Sequence, residues 1–113
     1  MKTKFKGIIL DFDGTLADSE PFYFRANRDA FRLFNHEIDP AEYYRHWSLL
    51  GEGSQGEVER HGLGNIVIEQ VRKMSRRNYR KMVETETINL FPGAVDVLTR
   101  LPAIGFKVVI ASN

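Results

Sequence analysis

Two short apolar runs near the ends of the chain enclose a longer stretch in which apolar positions recur at helical spacing. Phe5 to Phe12 is mostly apolar, β-branched at Ile8 and Ile9, and followed by Gly14 as a breaker, so it reads as a strand. Near-continuous apolarity, as opposed to alternation, marks a parallel strand covered on both faces. Residues 92–101 read as a short amphipathic helix with Val95, Leu98 and Leu101 on one side. Gly105 follows its end, and Phe106 to Ala111 is a second buried-strand run. Helix, glycine and apolar strand make half of a βαβ unit.

The middle has a different texture. Ser19 to Phe34 carries Tyr23, Ala26, Ala30, Leu33 and Phe34 at helical spacing and stops near Asn35. Asp39-Pro40-Ala41-Glu42 marks a new helix start, with Asp39 as N-cap, Pro40 in the first turn and Glu42 three residues on. Gly51 to Gly56 is a glycine-rich break. Ile66 to Val83 is the longest helical pattern, with Val67, Val71, Met74 and Met82 as its apolar stripe. Tyr43, Tyr44 and Trp47 read as packing residues of this helical block. The division that follows is an α/β core drawn from residues 1–16 and 87–113, with an all-helical block, 17–86, inserted after the first strand. Ligands of open α/β sheets bind outside the carboxyl ends of the strands, where Asp11 and Ser112 fall. The insertion is expected to sit over both.

Composition alters this picture little. The 113 residues are 42% hydrophobic and 27% charged, ordinary globular material, and the net charge of +1 asks for no nucleic-acid or membrane partner. There are no cysteines, which excludes disulfides and thiolate metal sites and suits a reducing cytosol. The apolar stretch after the basic start is too short for a signal-peptide core, and no run of about 18 apolar residues exists. A cytoplasmic protein is expected. Arg72, Arg76 and Arg80 fall in one helical row beside Lys73, Arg77 and Lys81, and this 72–81 face reads as solvated. His36, His46 and His61 share no ligand spacing with one another or with the aspartates. Asp18 and Glu20 lie where they would either cap the first helix or act at a hinge.

The candidate chemistry is concentrated at the end of the first strand. Asp11 and Asp13 put two carboxylates there, and charge in such a place is costly unless compensated. A hard cation such as Mg²⁺ takes oxygen ligands and compensates it. Gly14 allows a sharp exit that lets backbone amides approach a phosphoryl group, and Thr15 adds a hydroxyl. Aspartate is also a covalent catalyst that forms an aspartyl-phosphate.

Asp11-Phe12-Asp13-Gly14-Thr15-Leu16, followed by Asp18-Ser19-Glu20, resembles the first signature of the haloacid dehalogenase-like hydrolases. Within them it is most similar to the helical-cap branch that holds phosphoglycolate phosphatases and β-phosphoglucomutases. Leu90-Phe91-Pro92-Gly93-Ala94 resembles the re-entry into the core, and Val108 to Asn113 the second signature. The resemblance implies a Rossmann-like parallel-sheet core, incomplete here, with an inserted helical cap. It implies a Mg²⁺-dependent phosphomonoester hydrolase acting on a small phosphorylated metabolite. Asp11 would be the nucleophile and a metal ligand. Asp13 would be the general acid and base and offer its carbonyl to the metal. Ser112, with Asn113, Gly14 and Thr15, would hold phosphate.

The family's lysine signature and acidic pair lie downstream of the second signature, and no lysine here stands at a matching position. A chain cut after the second signature, inactive alone and with an uncovered sheet edge, is therefore expected. The mutases carry an arginine in the cap loop, and the comparable glycine-rich stretch here, residues 51–56, offers Gln55 and no arginine, which tilts the resemblance toward a phosphatase. A mutase and a non-catalytic fragment are the alternatives.

Overall fold

The computed structural model describes residues 6–112. Phe5 of the first predicted strand and Asn113 of the predicted phosphate-holding set lie outside the described residues. The chain divides into two compact units: Pro21–Glu86 is one, and the residues flanking it form the other.

The flanking unit is α/β. Strand β1 (Gly7–Asp11) pairs in parallel with β2 (Lys107–Ala111), in a register running from Gly7 opposite Lys107 to Asp11 opposite Ala111. Helix α5 (Ala94–Ala103) precedes β2 and ends in a Schellman turn. The Phe106 N–H bonds the Leu101 carbonyl at 3.1 Å and the Gly105 N–H bonds the Pro102 carbonyl at 3.1 Å. Gly105 takes a φ of 98°, which an L side chain resists, so the predicted helix–glycine–strand order has a steric cause. Apolarity predicted the parallel pairing correctly, but it overstated the coverage. Ile9 is 75% and Val109 57% exposed, because β1 and β2 are the whole sheet among the described residues. In α5, Ala94 is buried, Leu98 and Leu101 are half-buried, and Val95 is exposed.

The other unit is all helical. Its elements are α1 (Glu20–Arg32), the single turn α2 (Pro40–Glu42), a π-helical stretch (Tyr43–Leu49), α3 (Gly53–Arg60) and α4 (Ile68–Thr85). Asp39 caps α2 as its sequence predicts, its carboxylate accepting the Glu42 N–H at 2.9 Å. The π-helical stretch, with Leu50 N–H bonded to the Arg45 carbonyl five residues back, has no signal in the apolar spacing. The core gathers Ala30, Phe31, Ile38, Tyr43, Ile66 and Val71, with Phe24, Trp47 and Met74 against it. Tyr43 stacks on Trp47 at a 4.9 Å centroid distance, whereas Tyr44, also predicted to pack, is exposed. Asn27 ties α1 to α4 and the π-helical stretch: its carbonyl accepts from the Ser75 hydroxyl at 2.6 Å, and its amide donates to the Tyr43 hydroxyl at 3.3 Å. The basic residues at 72, 73, 76, 77, 80 and 81 are all exposed, a solvated face as predicted.

The three histidines lie in the helical unit, where glutamates gather them. Glu57, fully buried on α3, accepts from the Trp47 indole at 3.1 Å and from Arg60 at 2.6 Å, and its other oxygen lies 2.8 Å from His36 Nε2. His61 Nε2 is 3.5 Å from that same oxygen and 2.7 Å from Glu42 Oε1. Arg60 also bonds Glu42 and Glu52, and His46 bonds Glu52 at 3.0 Å. Burial resists ionisation of Glu42, but the hydrogen bonds from Arg60 and His61 outweigh it and hold its carboxyl below the ordinary range. Glutamates, not aspartates, bring the imidazoles together, which a search for His–Asp spacing misses.

The ends of the helical unit meet in a bidentate pair, Arg25 to Glu86, at 3.0 and 2.9 Å. Hydrogen bonds from Arg25 lower the Glu86 carboxyl below its ordinary value. A depressed folded value means that the pair contributes above the unfolded glutamate value and is lost as pH falls through the folded one. The Glu86 carboxyl resonance is therefore expected to titrate at lower pH than an unpaired glutamate, and Arg25→Gln to move its midpoint upward. An unchanged midpoint in the variant would refute the assignment. Among the described residues no helix is long and apolar enough to cross a membrane.

Candidate active site

The chain after β1 does not continue straight. The Phe12 N–H still bonds the Ala111 carbonyl at 3.0 Å, and the Phe12 carbonyl then collects the N–H groups of Leu16 at 3.0 Å and Ala17 at 2.9 Å, with Thr15 at 3.4 Å. Gly14 makes this hairpin-like turn feasible with a φ of 74°, and its own N–H bonds the Ala17 carbonyl at 3.0 Å. Leu16 and Ala17 are buried. The returning chain is fixed to the re-entry segment by Asp18 N–H to the Asn89 carbonyl at 2.8 Å and Phe91 N–H to the Leu16 carbonyl at 2.8 Å.

This turn and the strand register together assemble the polar groups. Because Asp11 stands opposite Ala111, Ser112 emerges beside the turn, and its hydroxyl donates to Asp13 Oδ2 at 3.0 Å. The turn brings back Ser19, almost wholly buried, whose hydroxyl donates to Asp13 Oδ1 at 2.9 Å. The Asp13 carboxylate is thus gripped on both oxygens, which fixes its plane. Asp11 is exposed, and among the described residues its carboxylate has no hydrogen bond or ion pair. The same holds for the main-chain N–H and carbonyl of Asp13.

Of the residues singled out from the sequence, Asp13 and Ser112 are in direct contact, with Asp11 at the neighbouring strand end. Gly14 and Thr15 form the turn, and both of their N–H groups are engaged within it. The polar group Thr15 leaves for a ligand is its exposed hydroxyl. Ser19 belongs to the run that resembles the first signature, but the sequence attaches no role to it. Its signal, a small hydroxyl residue six positions after Asp13, becomes meaningful only once the turn is known to reverse the chain.

A magnesium ion fits this donor set. The Asp11 carboxylate and the Asp13 carbonyl are hard oxygen donors without other partners among the described residues, and Mg²⁺ binds through one or two such groups with waters and substrate phosphate completing its shell.

The sequence profile of the haloacid dehalogenase-like hydrolases matches residues 5–113. A protein of Psychrobacter arcticus named phosphoglycolate phosphatase is 30% identical over 116 residues, covering 94% of this chain and 49% of the relative. Among solved structures, a protein of Haemophilus somnus described as a predicted phosphoglycolate phosphatase superposes with a TM-score of 0.74 at 20% identity, over all of this chain and 53% of that one. CbbY of Rhodobacter sphaeroides, solved with phosphate, gives 0.73 at 23% identity, over 96% of this chain and 51% of that one. The chain spans about half the length of the relatives it matches.

Proposed function

The chain belongs to the haloacid dehalogenase-like hydrolases, and from that premise we propose that it carries the nucleophile half of a magnesium-dependent phosphomonoesterase acting on a small phosphorylated metabolite. The observation that carries this reading is the Asp13 carboxylate held by Ser19 and Ser112 beside an unengaged Asp11. The relatives named phosphoglycolate phosphatase, and the CbbY structure with bound phosphate, support the same substrate chemistry.

In the proposed reaction an Asp11 carboxylate oxygen attacks phosphorus and the P–O bond to the alcohol breaks. Asp13 gives its proton to the departing alkoxide, so the alcohol leaves neutral. Water then attacks the aspartyl-phosphate, Asp13 takes the water's proton, and the acyl–phosphate P–O bond breaks to release phosphate and restore Asp11. The hydrogen bond from buried Ser19 keeps Asp13 aimed through both half-reactions. The Asp13 N–H and the Thr15 hydroxyl are donors for the phosphoryl oxygens, and Ser112 turns its single O–H from Asp13 to the phosphoryl group when substrate binds. Bound Mg²⁺, held by the Asp11 carboxylate and the Asp13 carbonyl, supplies neutralisation of phosphoryl charge. Residues 1–16 and 87–113 serve as the core and 17–86 as the cap.

The test is hydrolysis of p-nitrophenyl phosphate by the natural gene product and by the 113-residue chain. Chelator is expected to abolish the activity of the gene product and Mg²⁺ to restore it. Hydrolysis indifferent to both would defeat the proposal.

A further inference from the structure

Apart from Asp11 and Asp13, the densest collection of titratable side chains surrounds Glu57 in the helical unit. Glu57 lies on α3 and His61 is the C-cap residue one turn later, so both project from one face. His36 reaches them from the segment after α1, where Asn35 takes a left-handed φ of 61° and turns the chain inward. His36 Nε2 is 2.8 Å and His61 Nε2 3.5 Å from Glu57 Oε1, and one ligand atom from each of the three residues lies within 4.8 Å of the others. Tetrahedral zinc, with bonds of about 2.0–2.1 Å, holds its nitrogen and oxygen ligands about 3.3 Å apart. The two edges to Glu57 Oε1, 2.8 and 3.5 Å, lie on either side of that separation, and the imidazole–imidazole edge, within 4.8 Å, has at most about 1.5 Å to close.

The carboxylate is also oriented as a ligand. Trp47 and Arg60 both donate to Oε2 of Glu57, which leaves Oε1 aimed at the two imidazoles. Such outer partners fix first ligands in metal sites. The charge points the same way. Glu42, Glu52 and Glu57 share one guanidinium, Arg60, leaving two negative charges when the imidazoles are neutral.

We propose that His36, Glu57 and His61 bind a divalent, zinc-type cation, at a site made of residues entirely different from the Asp11–Asp13 set. Two imidazoles with one carboxylate favour zinc over magnesium. His61 is 35% exposed, which gives the ion an entry and a water its fourth position. Each neutral imidazole presents its Nε2 lone pair to the ion and keeps its proton on Nδ1, so a neutral ring only changes tautomer and a protonated one releases one proton. Glu42 gives up its bond to His61 Nε2 and retains Arg60.

The test titrates the chelator-stripped 113-residue chain with Zn²⁺ alone by calorimetry, and with Co²⁺ to read a tetrahedral field by visible absorption. One equivalent should bind at about micromolar affinity or tighter. His36→Ala and His61→Ala should each weaken binding by about tenfold or more, with helicity checked by circular dichroism. His61→Asn keeps a hydrogen-bond donor and guards against a variant that merely unfolds. The double variant Asp11→Asn, Asp13→Asn should bind as the parent does. Absent binding, binding that the histidine variants leave unchanged, or binding lost in the aspartate variant would each overturn the site. None of these outcomes depends on phosphatase activity.

Discussion

Asp11→Asn is expected to lower phosphomonoesterase turnover of the natural gene product by at least about a thousandfold, while folding stability stays within about 0.5 kcal/mol of the parent. The two halves of that expectation come from different observations. The amide is nearly isosteric but carries no anionic oxygen to attack phosphorus, and losing a nucleophile costs up to about a millionfold where it has been measured. The stability half follows because Asp11 is exposed and bonded to none of the described residues, so nothing in the fold needs its charge. Steady-state rates and a urea melt on the same preparation read both. Turnover within tenfold of the parent would remove Asp11 as nucleophile, and a large loss of stability would show that it has a structural partner instead.

Glu57→Ala should act in the opposite way, costing about 3 kcal/mol or more of stability in a chelator-containing buffer. The carboxylate has no exposed surface, and its removal leaves the Trp47 indole and His36 without their acceptor, alongside a cavity. Arg60 limits the damage, since it keeps Glu42 and Glu52. Its charge is therefore not orphaned, and the cost belongs at the lower end of the range for broken buried pairs. Glu57→Gln retains the volume and one acceptor, and about half that loss is expected. Chemical denaturation of the 113-residue chain measures both. A Glu57→Ala chain within 1 kcal/mol of the parent, on a scale where core losses are typically about 2–5, would mean that the buried carboxylate is dispensable.

How much of this was legible in the sequence depended on whether the determining interactions are local. The α2 start at Asp39 and the Gly105 turn were readable because each is set by residues within one turn of itself, and the two strands because each is a contiguous apolar run. Asp11, Asp13 and Ser112 were readable for a related reason, since their chemistry is written in contiguous runs. The apolar stripes failed at helix ends. Val67 was assigned to the α4 stripe, but the helix begins at Ile68. Val67 sits before it in an extended conformation, 54% exposed, and Ile66 is buried instead. Leu33 likewise falls just past Arg32, the end of α1, and turns outward while Phe31 takes the core position. The Ser19 contact with Asp13 and the His36–Glu57–His61 cluster were out of reach, because both depend on chain reversals that no spacing rule records.

The parallel pairing of β1 with β2 also governs when Asp13 and Ser112 come together. Asp13 and Ser112 are separated by 99 positions, and residues near both ends of the chain must meet before the Ser112 grip on Asp13 can form. Closing a loop of that length costs roughly 4 kcal/mol in chain entropy. The helical unit between them is contiguous, and even the Arg25–Glu86 pair at its ends spans only 61 positions, so it closes over shorter loops than the strands do. Once ordered, it shortens the flexible span that the strands must close. The Ser112 hold on Asp13 is in this sense one of the contacts with the longest chain to close.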